Sequence, residues 1–420
     1  MSQRELQRVK VIENAVAGHI TVAEAARLLS LSERQVKRLK RRCVPGEVEW
    51  VRHGNRGQNR PWRIAERVRA KVLRLAEGKY AGFNDSHLTE KLQEIEGIDL
   101  SREAVRRILR RAGRESPQKR RPPRYRSRRE RRPRKGMMVL TDGSRERWLE
   151  DRGPALTLIG FQDDATSEVL AARFQLECED TLGYLRVLRA MVEEHGIPLS
   201  LYRDRHSAFQ RNDDYWSEEE LLAGRQSLTH LGQALEELGM EQIAALTPQA
   251  KGRIERLWKT FQDRLRSELR LAKAKTVEQA NAVLARFLSE YNRKFAIPAR
   301  EAGNDFRELD KRVNRDRLFS LRYERTVGHD HTISFGARTL QLPASAGQQG
   351  YAGKRVEVSH QLNGELHVWL GNEHLYECQL PIEYTVGMAP KRPVMRPKAT
   401  PKKEHPRIYV LGGRAALAVR

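Results

Sequence analysis

Three acidic side chains in this sequence stand where an acid does nothing for stability. Asp142 closes the apolar run MMVLTDG, Asp204 closes IPLSLYRD, and Glu255 lies between Ile254 and Leu257 in QAKGRIERLWKTFQDRL. A carboxylate taken out of water is costly unless it is paired or bound to a cation. Three of them, brought from two strand ends and a neighbouring helix, make an oxygen-only set suited to hard divalent ions. Two such ions about 3.5–4 Å apart activate a nucleophile and stabilise the leaving oxygen in phosphodiester displacement. The candidate catalytic and metal-holding residues are therefore Asp142, Asp204 and Glu255, with two Mg²⁺ as cofactor and Mn²⁺ as substitute.

Each acid has a plainer alternative. Asp163 and Asp164 also follow an apolar strand and compete with Asp142, but Ala-Thr-Ser follows them and reads as a hairpin turn, where Asp is common. Asp204 suits a helix N-cap before Arg205-His206. Glu255 can pair with Lys259 one helical turn on. His206 is either a substrate contact or structural. Lys251, Arg253 and Lys259 share the helix of Glu255 and are candidates for phosphate contact.

The elements that must position these residues follow from periodicity. MMVLTDG, ALTLIGF (155–161) and EVLAARFQL (168–176) read as three consecutive strands. A helix over about 180–195, a strand at 197–204, a polar stretch, a short strand at 240–248 and a long helix from near Gln249 complete a mixed α/β sheet flanked by helices. Another helix covers about 277–292, and alternating runs between 320 and 380 predict a small antiparallel barrel.

Upstream, residues 5–43 read as three short helices. Thr21 with Glu24, and Ser32 with Gln35, have capping-box spacing. The third helix, ERQVKRLKRR, turns Val36 and Leu39 inward and Arg34, Lys37, Arg38, Lys40 and Arg41 outward. A small helix, a tight turn and a basic helix are the layout of a helix-turn-helix, whose second helix enters the major groove. The alternative is a three-helix bundle with a solvated basic face. Residues 63–113 repeat the theme, ending in REAVRRILRR with Arg102, Arg106, Arg107 and Arg110 outside. The DNA-binding candidates are thus Arg34, Gln35, Lys37, Arg38, Lys40, Arg41, Arg102, Arg106, Arg107, Arg110, Lys251, Arg253 and Lys259.

Composition agrees with a polyanionic partner. The 420 residues carry a formal charge of +24, while 39% are hydrophobic, enough for packed cores. Charge alone does not separate a DNA-binding from an RNA-binding protein. Residues 114–135 hold 12 Lys or Arg, two Glu and four Pro, with no aliphatic side chain, and suit an extended tether along phosphates. Cys43, Cys178 and Cys378 are too scattered for a disulfide framework or a zinc set. No run approaches the length of a membrane span and the start is not a secretory signal, so a cytoplasmic, nucleoid-associated protein is expected.

With these residues in view, the chain resembles the bacterial insertion-sequence transposases of the ISNCY group, within the retroviral-integrase superfamily. The matching segments are HGNRG, TDGSRERWLE, FQDDAT, LYRDRHSAF, PQAKGRIERLWKTFQDRL and YNRKFA, and the likeness covers essentially the whole chain. It implies an RNase H-like catalytic fold with a DDE triad. It further implies an enzyme that hydrolyses the 3′ ends of its element and transfers the freed hydroxyls to target DNA. Partners would be double-stranded DNA, both the terminal inverted repeats and the target, and further copies of the chain, since two ends must be held together. Two departures stand out. The 51 residues from Asp204 to Glu255 exceed the usual spacer, with 211–235 as the expected insertion. The zinc-binding His and Cys pairs of retroviral integrases are absent, leaving end recognition to the helix-turn-helix modules.

The expected architecture is multidomain: N-terminal all-α helix-turn-helix modules, a central α/β RNase H-like domain and a C-terminal all-β barrel. The limits are 1–45 for the first module, 46–62 for a linker, 63–113 for the second module and 114–135 for the basic linker. The catalytic core takes 136–300, the barrel 301–380 and a disordered basic tail 381–420. Two other functions fit the same features: a catalytically silent, host-recruited DNA-binding regulator, and a nuclease of this fold without strand transfer.

Overall fold

A computed structural model describes residues 3–51, 64–116, 129–176, 179–245, 252–336, 338–343 and 350–381. Most of the 46–62 linker, the centre of the 114–135 segment, Cys178, Lys251 and nearly all of the 381–420 tail lie outside them. The chain divides into two units, 1–74 and 75–420. The expected limits at 45/46, 62/63 and 113/114 do not coincide with that division.

The first unit holds α1 (Gln3–Val16), α2 (Val22–Leu29) and α3 (Glu33–Arg42). Thr21 and Glu24 form the complete capping box that starts α2, and Ser30 in the left-handed region (φ 51°) ends it. Ser32 Oγ accepts from the Gln35 N–H to start α3. Ile12, Ala25 and Val36 fill the centre, with Leu39 partly buried beside them. Trp50 and Val51, on a short 3₁₀ turn (Glu49–Val51), join this core, and Trp50 Nε1 donates to the Glu47 carbonyl at 2.7 Å. The start of the expected linker is therefore packed, because two large apolar side chains find an open flank of the bundle to cover.

α4 (Glu66–Glu77) straddles the division, and α5 (Asp85–Glu94) and α6 (Arg102–Arg111) follow it. The central sheet comprises β1 (Val139–Glu146), β2 (Leu156–Asp163) and β3 (Val169–Leu176), then α7 (Thr181–His195), β4 (Ser200–Arg203), α8 (Glu218–Ala223), α9 (His230–Glu237) and β5 (Glu241–Ala244). Its strand order is β3-β2-β1-β4-β5, antiparallel through the two hairpins and parallel from β1 to β4 to β5. α10 (Gly252–Leu271) and α11 (Val277–Phe295) cover one face; α7 and α9 cover the other. All eight residues of β2 are buried, as expected of a strand covered on both faces. Neighbours alternate between the layers: Val139 and Leu201 pack with α7 and α9, Leu140 and Tyr202 with α10 and α11.

Three sequence expectations change here. Strand β1 does not stop at Asp142 but continues to Glu146, because β2 pairs with it along its whole length. The 211–235 segment is not wholly an insertion, since Leu231, Ala234 and Leu235 of α9 are core residues. The basic 114–135 segment is not a free tether at its end, because residues 129–135 are strapped to the core. Arg129 pairs with Asp164 at 2.5 Å, Arg131 donates to the Asp164 carbonyl at 2.8 Å, and Arg134 and Lys135 pair with Asp305 and Glu168. Composition reveals the charge of such a segment but not the buried acid that will hold it.

Beyond α12 (Arg315–Leu318) come β6 (Leu321–Thr326), β7 (Thr332–Phe335), β8 (Arg338–Gln341), β9 (Arg355–His360), β10 (Glu365–Leu370) and β11 (Glu373–Gln379). They pair as an antiparallel sheet, β11-β10-β9-β6, and a hairpin, β7-β8. The all-β expectation holds for this region. Among the described residues the strands pair as this sheet and this hairpin. Their inner residues, among them Tyr323, Ile333, Phe335, Val358 and Val368, continue the core on the α7/α9 face.

Candidate active site

β1 and β4 run parallel with Val139 opposite Leu201 and Leu140 opposite Tyr202. Asp142 and Asp204 carry the same offset of 62 residues as those pairs, just past where the strands stop hydrogen-bonding. Both are half-buried. The 62 residues between the two acids are thus the offset at which the two neighbouring strands pair. β1 runs on to Glu146 whereas β4 ends at Arg203, so the two acids share the crevice left where β4 stops.

Each Asp is oriented. Trp258 Nε1 donates to Asp142 Oδ2 at 3.1 Å, and the His206 N–H donates to Asp204 Oδ1 at 2.9 Å. Trp258 reaches β1 by lying across Gly160, the β2 residue opposite Asp142; a Cβ there would come within 2.9 Å of the indole. Glycine at 160 is the opening through which the ring reaches the acid.

Glu255 occupies the first turn of α10, three residues before Trp258. Sequence reading turned it partly toward the core, whereas its side chain is exposed. The reason is the helix period: α10 buries Ile254, Leu257, Trp258 and Phe261, and position 255 falls just off that stripe. The structure does not draw the triad into a closed cluster. Among the described residues, the set of three His, Cys, Asp or Glu whose ligand atoms all lie within 4.8 Å of one another is elsewhere, on the C-terminal sheet.

A fourth acid that sequence reading missed, Glu179, joins the crevice. Its carboxylate lies against Gly143, where a Cβ would collide with Oε2, and it accepts a hydrogen bond from the Tyr184 hydroxyl. Burial pushes the Glu179 carboxyl up, and the charges of Asp142 and Asp204 push it further; the Tyr184 bond and His206 oppose them. Tyr184, wholly buried beside Phe209, is pushed up by burial and by the same acids. A carboxyl raised by burial and by two neighbouring carboxylates marks the electrostatic condition that a divalent cation relieves. The donor set fits hard cations. The signals available in the sequence were Glu179 three residues past the end of a strand, and a tryptophan one helical turn past Glu255 whose N–H needs a partner once buried.

The competing acids are structural. Asp163 is fully buried and accepts from the Gly136 N–H at 2.9 Å and from the Thr166 N–H and hydroxyl at 2.8 Å. Asp164, also fully buried, binds Arg129, Arg253 and the Arg132 N–H.

The basic candidates separate into two groups. Arg34, Gln35, Lys37, Arg38 and Arg41 on α3, Arg102, Arg106 and Arg107 on α6, and Lys259 on α10 are exposed. Lys40 instead donates to the Ala15 carbonyl at 2.7 Å, tying α3 to the end of α1. Arg110 pairs with Asp85 at 2.6 Å, holding α6 to the start of α5, and Arg253 is consumed by Asp164 and the Arg129 carbonyl. A cation on an outward helix face cannot be told from one that folds back onto a neighbouring helix until the tertiary partners are known.

Comparison with known proteins places the chain. It is 36% identical over 380 residues to the "Putative transposase y4bF" of Sinorhizobium fredii, spanning 90% of this chain and 81% of that protein. It is 27% identical over 447 residues to the transposase for insertion sequence IS1202 of Streptococcus pneumoniae, spanning 96% of this chain and 93% of that one. The chain belongs to this transposase family. No protein-family model matches it. Solved structures that match include the catalytic core domain of BIV integrase, with a TM-score of 0.26 at 15% identity, covering 41% of this chain and 90% of that one. A simian T-cell lymphotropic virus intasome in complex with the PP2A regulatory subunit B56 gamma gives a TM-score of 0.32 at 12% identity, covering 73% and 96%. At these scores neither likeness carries weight for fold or function. No helix among the described residues is long and apolar enough to cross a membrane.

Proposed function

We propose that this transposase is a metal-dependent polynucleotidyl transferase of the DDE type, which cleaves the 3′ ends of its element and joins them to target DNA. The observation that carries the reading is that Asp142 and Asp204 stand at the same 62-residue offset at which β1 and β4 pair, Asp142 on β1 and Asp204 just past β4. The strand order β3-β2-β1-β4-β5 supports an RNase H-like core. Asp142 and Asp204 would hold Mg²⁺ or Mn²⁺, with Glu255, from the first turn of α10, as the third ligand. Such ions supply activation of the attacking oxygen and stabilisation of the leaving one. The protein's own part is orientation: Trp258 fixes Asp142, the His206 N–H fixes Asp204, and Tyr184 holds Glu179 in the crevice.

DNA ends are bound by the exposed faces of α3 and α6, and two or more chains bring the two ends together. The test is incubation of the full chain with Mg²⁺ or Mn²⁺ and DNA carrying the element's own repeats, with products resolved on a sequencing gel. Joined strands establish the transferase, fragments alone a nuclease, and intact DNA under tight binding a silent regulator.

Two substitutions test the assignments separately. Trp258→Phe keeps an aromatic side chain, smaller than the indole, and removes the N–H. Loss of such an outer contact to a metal-holding side chain is expected to cost about 10–100-fold in metal affinity or activity, read as a higher Mn²⁺ requirement with unchanged DNA binding. An unaltered Mn²⁺ requirement would refute the positioning role. On α3, Arg38→Ala is expected to weaken DNA binding and lower its log–log salt slope by about 1. Lys40→Ala should instead lower thermal stability of the first unit, since its ammonium is spent on Ala15. Fluorescence anisotropy across a salt series distinguishes them.

A further inference from the structure

Strands β10 and β11 pair with His367 opposite Glu377, but the register slips by one residue between Val368 and Trp369, so that His374 faces Trp369. Without the slip Leu375 would face Trp369 and His374 would point to the other side of the sheet. The bulge instead buries Leu375 and brings His367, His374 and Glu377 onto one outer face. Re-aiming a side chain is a recurrent use of a β-bulge.

On that face, His367 Nδ1 and His374 Nε2 are 2.9 Å apart, and Glu377 Oε2 lies 3.6 Å from the first and 3.8 Å from the second. Bonds of 2.0–2.1 Å to a tetrahedral ion put ligand atoms about 3.3 Å apart, so this triangle needs shifts of a few tenths of an ångström. The other ring nitrogen of His367, Nε2, faces Glu365 Oε2 at 3.5 Å. A carboxylate behind a ligating imidazole is the usual outer support of a metal-bound histidine. His367 is nearly enclosed, at 13% side-chain exposure, while Glu377 is open at 69%, which leaves a fourth position to water.

We propose that His367, His374 and Glu377 form a second metal site, for a transition-metal ion of the zinc class, on the outer face of the C-terminal sheet. Two imidazoles and one carboxylate select zinc over the magnesium class, which takes oxygen ligands. The ion ties β11 to β10 beside the bulge, and the site is independent of the carboxylates at Asp142 and Asp204.

Zinc chloride titrated into the full chain by calorimetry tests this, in an Asp142→Asn/Asp204→Asn background that removes the crevice as a competing site. One zinc bound per chain, undiminished by millimolar Mg²⁺, is expected. His374→Ala should abolish that binding with the circular dichroism spectrum unchanged, and Glu365→Gln should weaken it by about tenfold. Cobalt(II) should give a tetrahedral visible spectrum that His374→Ala removes. Absence of stoichiometric zinc, or zinc binding that survives His374→Ala, would overturn the site and leave the two histidines as a hydrogen-bonded imidazole pair.

Discussion

Asp204→Asn is expected to eliminate strand cleavage and joining, by at least on the order of 10³-fold, while DNA binding persists. Lost electrostatic stabilisation at the reacting phosphate is worth several kcal/mol, and about 4 kcal/mol corresponds to that factor. The substitution is conservative in shape. Asp204 Oδ1 accepts the His206 N–H at 2.9 Å, and an asparagine carbonyl oxygen can accept the same bond, so the loop after β4 is retained. What disappears is the charge. Asp142→Asn should behave alike, because its oxygen can still accept from Trp258. The measurement is the end-cleavage gel with Mn²⁺, beside anisotropy for binding. Cleavage retained within tenfold in both variants would sink the metal-carboxylate reading and return attention to Glu179 and Glu255.

Arg264→Ala is expected to loosen α5 from α10, together with α6, which the Arg110–Asp85 pair holds to α5. Arg264 forks onto Glu90 at 2.8 and 2.9 Å, Lys294 of α11 joins the same carboxylate at 2.9 Å, and Glu268 binds His87 at 2.6 Å and Lys91 at 2.8 Å. Removing one partner of a fully buried pair costs about 3–5 kcal/mol. Glu90 keeps 27% of its side-chain exposure, so about 2 kcal/mol is the reasonable expectation. That corresponds to roughly 30-fold faster amide exchange in α5 if the two helices open as a unit. Unchanged exchange would show that the network contributes nothing to docking.

The same contact predicts an acid response. Burial raises the Glu90 carboxyl, but the hydrogen bonds from Arg264 and Lys294 outweigh it and hold the group down at about 2. A depressed folded value stabilises above the ordinary value of 4.5 and is lost as pH falls from there toward about 2. Protection of α5 should therefore fall through that window in the native chain, and Arg264→Ala should flatten the response.

The elements were largely legible, and the reason is visible in particular residues. The helices over 180–195 and 277–292 appear as α7 and α11 because caps and apolar stripes are local properties: Asp180 and Thr276 each accept an N–H three residues on. The three consecutive strands announced themselves through apolar runs between turn residues. Tertiary partners were not legible. Lys40, Arg110 and Arg253 look like their exposed neighbours in sequence, yet each is committed to a carbonyl or carboxylate 25 or more positions away. Of the site, the two aspartates stood out because each closes an apolar run in the sequence. Glu179 did not, since its role depends on folding over Gly143, 36 positions earlier in the chain.

The helix that carries Glu255 is also the one to which α5 is bolted, through Asp263, Arg264 and Glu268, and α6 is held to α5 by the Arg110–Asp85 pair. On the proposed function, in which α6 reads DNA and Glu255 serves the cut, the two are mounted on one rod and make a ruler. On duplex DNA, one extra base pair between the sequence gripped by α6 and the bond to be broken shifts that bond by about 3.4 Å and turns it by about 35°. A rod cannot follow such a rotation. An element end lengthened by one pair would be cut at its old distance, one nucleotide out of frame with its own terminus.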